Sequence, residues 1–164
     1  MRHGWIVIAS LVAGTTQAAE IELSTRVSGV VEAVLVKPGQ NVKKGTVLMR
    51  LNKVIYQAHV DEASAESERL HAEEADAKRD LDRGQELYSR TVSSTTELDS
   101  AKLRYTRAKS ALTMADAKLT IAKKNLQDTE LKAPFNGVVA AVPAAPGVVI
   151  AADCQPKTLV VLRR

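Results

Sequence analysis

LDSAKLRYTRAKSALTMADAKLTIAKKNLQDT, residues 98–129, places Leu98, Ala101, Tyr105, Ala108, Leu112, Ala115, Leu119, Ala122, Leu126 and Thr129 three and four residues apart. Large and small apolar positions alternate along it with a seven-residue repeat, the pattern of a coiled-coil seam. The positions between are mostly Lys, Arg, Asp, Ser, Thr and Gln, so the helix carries one narrow apolar stripe and requires one partner helix rather than a thick core. The preceding segment supplies that partner. Tyr56, Val60, Ala63, Leu70, Ala77, Leu81, Gly84, Tyr88 and Thr91 follow the same spacing, with polar lapses at Ser67 and Glu74. Between the two seams lies VSSTTE, residues 92–97; its short hydroxyl side chains cap a new helix start, and Glu97 stands where a capping box places its acidic member. The chain therefore turns back here, and arms of roughly 36 to 40 residues, at about 1.5 Å per residue, project on the order of 55 Å.

Nearly half of the 164 residues thus form a two-helix arm with no interior, and the rest must build a small core of its own. Aromatic residues make up 3% of the chain, which fits a coiled coil on a small β-unit better than an enzyme with a deep pocket. The formal charge of +4 is mild, and cations alternate with carboxylates along the helices, a solvated surface rather than a nucleic-acid face.

Residues 1–19 read as an export signal. Met1-Arg2-His3 is a short basic start, Trp5 to Ala13 a short apolar run, and Thr16-Gln17-Ala18-Ala19 a small-residue cleavage region. The run is too short to span a bilayer comfortably, so cleavage is expected after Ala18 or Ala19, with an uncleaved anchor as the alternative. Cys154 is the single cysteine and forms no internal disulfide; it reads as a small apolar core residue.

After the signal the chain becomes short strands punctuated by Pro38-Gly39 and Lys44-Gly45 turns. This segment recurs near the other end. Asn136-Gly137-Val138-Val139 repeats Ser28-Gly29-Val30-Val31, and Pro146-Gly147 repeats Pro38-Gly39, both displaced by the same 108 residues. Thr158 to Leu162 echoes Thr46 to Leu51. Neither half has enough apolar surface to fold alone; two facing halves, each burying one face, make a small flattened barrel. The hairpin is then an insertion, leaving at Asn52-Lys53 and returning at Leu131-Lys132-Ala133-Pro134, where proline stops the returning helix. The expected boundaries are 21–52 for the first half, 53–130 for the hairpin and 131–164 for the second half.

The motifs Val27-Ser28-Gly29-Val30-Val31, Val36-Lys37-Pro38-Gly39-Gln40-Asn41-Val42-Lys43-Lys44-Gly45 and Leu131-Lys132-Ala133-Pro134-Phe135-Asn136-Gly137-Val138-Val139, set on either side of a hairpin, resemble the periplasmic adaptor proteins. These are also called membrane fusion proteins or the HlyD family, and serve Gram-negative tripartite efflux pumps and type I secretion systems. The resemblance covers about residues 24–162. It implies an α+β fold, with a lipoyl-like β-sandwich or barrel made of two half-motifs and a long antiparallel α-helical coiled-coil hairpin inserted between them. It also implies a periplasmic, non-enzymatic adaptor that links an inner-membrane transporter, of RND or ABC type, to a TolC-like outer-membrane channel, and that works as a homo-oligomeric ring with adjacent hairpins packed into a tube.

The same resemblance extends to the hairpin tip, where many adaptors carry an Arg, a Leu four residues later and a Ser seven residues after that. Arg83, Leu87 and Ser94 stand at this spacing and are implied to dock the channel. Arg83 and Leu87 are one turn apart on one helical face, and a planar guanidinium suits a carbonyl-rich helical end. Spacing alone equally fits a solvated Arg83, a seam Leu87 and a capping Ser94. Family members usually continue into a β-barrel and a membrane-proximal domain, whereas this sequence stops at Leu162-Arg163-Arg164. The reading is thus of a short form, whether a minimal adaptor, one part of a split adaptor or a truncated product. A stand-alone periplasmic coiled-coil interaction protein is the rival from another class.

No cofactor is expected. Lys53 is not flanked by the sequence of a swinging-arm carrier and reads as a helix-start residue. His59 and His71 are twelve residues apart and share no ligand spacing. Glu73, Glu74 and Asp76 read as a solvated acidic stretch, and no nucleophile elbow or phosphate loop is present.

Overall fold

The computed structural model describes residues 20–91, 94–152 and 157–164; the signal reading, Val92, Ser93 and Cys154 lie outside them. Two helices dominate, α1 (Val54–Ser89) and α2 (Thr95–Asp128). They are 36 and 34 residues long, and the longer extends about 54 Å at ~1.5 Å per residue. Both are rich in Ala, Leu, Glu, Lys and Arg, which favour helix, and neither contains proline. The buried seam is Leu70, Ala77 and Leu81 on α1 against Leu98, Ala108 and Ala115 on α2. Small residues at half these positions let the axes approach closely, as at Gly84, where an added Cβ would lie 3.7 Å from the Cβ of Ala101. The lapse at Ser67 is used: its hydroxyl donates to Asp116 across the seam at 2.6 Å.

The remaining chain forms eight strands among the described residues: β1 (Glu20–Leu23), β2 (Gly29–Val34), β3 (Asn41–Val42), β4 (Val47–Leu51), β5 (Glu130–Lys132), β6 (Gly137–Ala141), β7 (Val149–Ile150) and β8 (Val160–Arg163). They make two antiparallel sheets, ordered β1-β8-β6-β3 and β5-β4-β2-β7. This corrects the expectation of two facing halves. Each sheet takes two strands from the first repeat and two from the second, so the repeats interleave and neither owns a complete sheet. Exchanging β1 to β4 for β5 to β8 turns one sheet order into the other.

The symmetry reaches individual hydrogen bonds. Gly39 N–H donates to Val139 O at 2.8 Å, and its counterpart Gly147 N–H donates to Val31 O at 2.8 Å. Both glycines have φ of 84°, a left-handed turn that side chains resist. Val31 and Val139 are each 1% exposed, among a core that includes Leu48, Met49, Leu159, Val160 and Leu162. Alternation along short strands places these apolar residues inward and the charges outward.

The hairpin is rooted in this barrel. Tyr56 Oη donates to Ser28 O at 2.7 Å, Leu51 N–H donates to Thr129 O at 2.8 Å, and the Thr25 hydroxyl donates to Asp128 O at 3.3 Å. Thr129, expected as the last seam residue, is instead the buried C-cap of α2. The helix ends therefore sit side by side on the sheets, and the tip stands far from them.

Candidate functional site at the hairpin tip

The tip is built by how each helix ends. Thr91 follows the C-cap Arg90 with φ of 63°, a left-handed residue of the kind that closes helix C-termini. Ser94 then opens α2. Its hydroxyl accepts from Glu97 N–H at 3.2 Å, and the Glu97 carboxylate accepts from Ser94 N–H at 3.1 Å. This is the capping box anticipated from VSSTTE, and Ser94 is its N-cap.

Arg83 and Leu87 lie one turn apart, as their spacing requires. Leu87 is 39% exposed, so it is not a buried seam residue. The Arg83 side chain is largely exposed, with Nη1 3.4 Å from Asp80 Oδ1. The other oxygen of Asp80 accepts from Arg104 Nη1 of α2 at 2.8 Å. One carboxylate thus holds two guanidinium groups and ties the helices together close to the tip. Arg83, Gly84, Leu87, Ala101 and Arg104 line a shallow open groove across the hairpin. Its apolar floor exists because Gly84 has no side chain. Charge above and a small apolar notch below suit a partner that presents oxygen atoms and a compact apolar side chain.

Arg104 and Asp80 were not singled out from the sequence. They are 24 residues apart, and only the register of the folded hairpin brings them together. Ser94 is on the same end of the hairpin but belongs to the opening of α2, with its hydroxyl engaged in the cap.

A second shallow groove lies nearer the barrel, lined by His59, Glu62 and Glu66 of α1 and by Ala115, Lys118 and Ile121 of α2. Arg69 donates to Glu66 at 2.9 Å, and this bond holds the Glu66 carboxyl below its usual range, with Lys118 adding to the effect. His59 Nδ1 is 3.7 Å from the Glu62 carboxylate. His71 does not join it, and both histidines lie on the helix surface.

Two interleaved half-repeats closing one small barrel, with a long antiparallel hairpin between them, define a barrel-sandwich hybrid of the membrane fusion, or periplasmic adaptor, class. Residues 19–159 match the family described as CzcB-like, barrel-sandwich hybrid domain, and the chain belongs to that family. It is 29% identical over 139 residues to the efflux pump periplasmic linker BepD of Brucella suis biovar 1 (strain 1330), covering 85% of this chain and 35% of BepD. To the multidrug efflux pump subunit AcrA of Escherichia coli (strain K12) it is 30% identical over 125 residues, covering 76% of this chain and 32% of AcrA. The membrane fusion protein Spr0693 of Streptococcus pneumoniae R6 shares the fold with a TM-score of 0.67 at 18% identity, over 90% of this chain and 60% of that one. The chain spans between about a third and under half of the length of the curated relatives it matches.

Proposed function

We propose that this chain is a non-enzymatic periplasmic adaptor of an efflux or type I secretion assembly, connecting an inner-membrane transporter to a TolC-like outer-membrane channel. Residues 1–19 are its export signal. Arg83 and Leu87, with Ser94 at the start of the returning helix, form the docking end. The observation that carries the reading is the position of Arg83 and Leu87. Both are presented to solvent at the far end of an arm about 54 Å long, on a shared face, while the seam residues around them are buried. An arm of this length with a chemically distinct tip is suited to bridging a gap between two membrane-bound partners. Among the described residues no helix is long and apolar enough to cross a membrane.

The test is an in-cell crosslink from a photo-reactive residue at Leu87. Capture of an outer-membrane channel, lost on Arg83→Asp with helix content unchanged, is the expected result. Capture of unrelated periplasmic proteins alone, from an abundant folded product, would overturn channel docking and favour a stand-alone coiled-coil interaction protein.

A further inference from the structure

The hairpin has a second apolar stripe that its own seam does not use. Leu103, Met114 and Ile121 are 50%, 64% and 61% exposed. They are separated by eleven and seven residues, so at about 100° per residue they fall within about 20° of one another on α2. A stripe of large side chains along a helix, left in water, is a contact surface awaiting a partner.

Charge identifies the partner. α1 carries ten acidic and four basic side chains, a net of −6 with histidine neutral. α2 carries four acidic and seven basic ones, a net of +3. Beside the apolar stripe of α2 stand the cations Arg107 and Lys118. On the outer flank of α1, exposed Ala58, Ala65 and Ala72 recur every seven residues, with Glu62 and Asp76 between them. One helix of the hairpin thus presents large apolar side chains beside positive charge, and the other presents shallow alanine positions beside negative charge.

We infer that the outer flank of α2 docks on the outer flank of α1 of a second copy, with the two hairpins side by side and their tips together. The inference deepens the adaptor reading and rests on it for that alignment. The heights then agree. Within one hairpin Asp80 is level with Arg104 and Ser67 with Asp116, so residues at the same height have numbers adding to about 184. Applied to a neighbouring copy, Ile121 falls within about two residues, or ~3 Å, of Ala65, and Met114 within the same distance and direction of Ala72. Arg107 falls beside the turn that contains Asp76. Large side chains therefore meet alanines, and cations meet carboxylates, with one small common shift.

The contact is heterologous, since different helices meet, and repeating it builds a ring or an open array. Ile121 lines the same broad groove of the hairpin as Glu62 and Glu66, and the stripes continue outward from that face on both helices. Successive copies consequently rotate in the same sense, which favours a closed tube over a pleated sheet.

The experiment uses the purified protein in a Cys154→Ser background, as two variants, Ala65→Cys and Ile121→Cys. Mild oxidation of their mixture is expected to give a disulfide dimer, while neither variant alone crosslinks appreciably. Crosslinking of Ile121→Cys to itself, or none in the mixture at low salt, would overturn the inference. Sedimentation supplies the second measurement. Met114→Glu is expected to weaken self-association at least about tenfold, because a large apolar contact is lost, with helix content unchanged since the side chain is exposed. Self-association unmoved by Met114→Glu and by salt would place the contact elsewhere and refute the proposal. Arg83→Asp separates the two readings: it is expected to leave the disulfide dimer intact even where it abolishes channel capture.

Discussion

Asp80 on α1 and Arg104 on α2 form an ion pair of 2.8 Å across the hairpin, and the same carboxylate lies 3.4 Å from Arg83. The pair ties the two helices within two turns of the tip and makes the position of Arg83 depend on a residue of the other helix. Both guanidinium groups are well exposed, so solvent and salt screen the interaction strongly. A double-mutant cycle of Asp80→Asn and Arg104→Gln is expected to give a coupling of about 0.2–1 kcal/mol at low ionic strength. The coupling should vanish in 1 M salt, where the screening length falls to about 3 Å. Denaturant unfolding of the four proteins reads it.

Ser94 combines a structural duty with the proposed docking one, and the two separate by substitution. Ser94→Ala removes the cap oxygen and is expected to cost about 1 kcal/mol of stability. Ser94→Asp retains a cap acceptor and favourable charge at the helix start, so it should unfold close to the wild type. If docking needs the hydroxyl, Ser94→Asp loses channel capture while keeping its stability; if Ser94 only caps the helix, capture persists. Thermal unfolding beside the Leu87 crosslink tells these apart.

Gly29 and Gly137 occupy equivalent places in the two repeats but not equivalent surroundings. A Cβ on Gly137 would lie 2.5 Å from the carbonyl oxygen of Arg163, whereas one on Gly29 would meet only Leu51 at 3.8 Å. Gly137→Ala is therefore expected to destabilise the barrel by about 1–3 kcal/mol through overpacking. Gly29→Ala should be neutral or stabilise by a few tenths of a kcal/mol, through reduced freedom of the unfolded chain. Chemical denaturation of both variants checks the contrast.

Interleaving of the repeats predicts how the chain behaves when cut. A break at residues 92–93 separates β1 to β4 with α1 from β5 to β8 with α2, and each piece then lacks two strands of both sheets. Each fragment alone is expected to lack fixed tertiary structure, while mixing them should restore it, because the strand pairings and the helical seam both cross the cut. Near-ultraviolet dichroism or amide hydrogen exchange of the separate and mixed fragments measures this.

Helix existence, the capping box and the repeat were legible because their causes are local. Heptad spacing is a property of one segment, Ser94 and Glu97 are three residues apart, and Gly39 and Gly147 sit in matching turn sequences. The second stripe of Leu103, Met114 and Ile121 was also present in the spacing, but the stronger seam of the same helix concealed it. Which stripe would be buried was decided by the match to α1, where Leu70, Ala77 and Leu81 face inward.

By itself the sequence determined that two long helices form, where they turn, and that two similar β-segments flank them, since each follows from periodicity, capping and turn chemistry within a few residues. Tertiary structure decided that the repeats exchange strands, because backbone hydrogen bonds and burial are satisfied only when each half completes the sheets of the other. It also decided that Asp80 reaches Arg104 as well as Arg83, because residues 24 apart become neighbours only through the register in which small seam residues let the two helices pack.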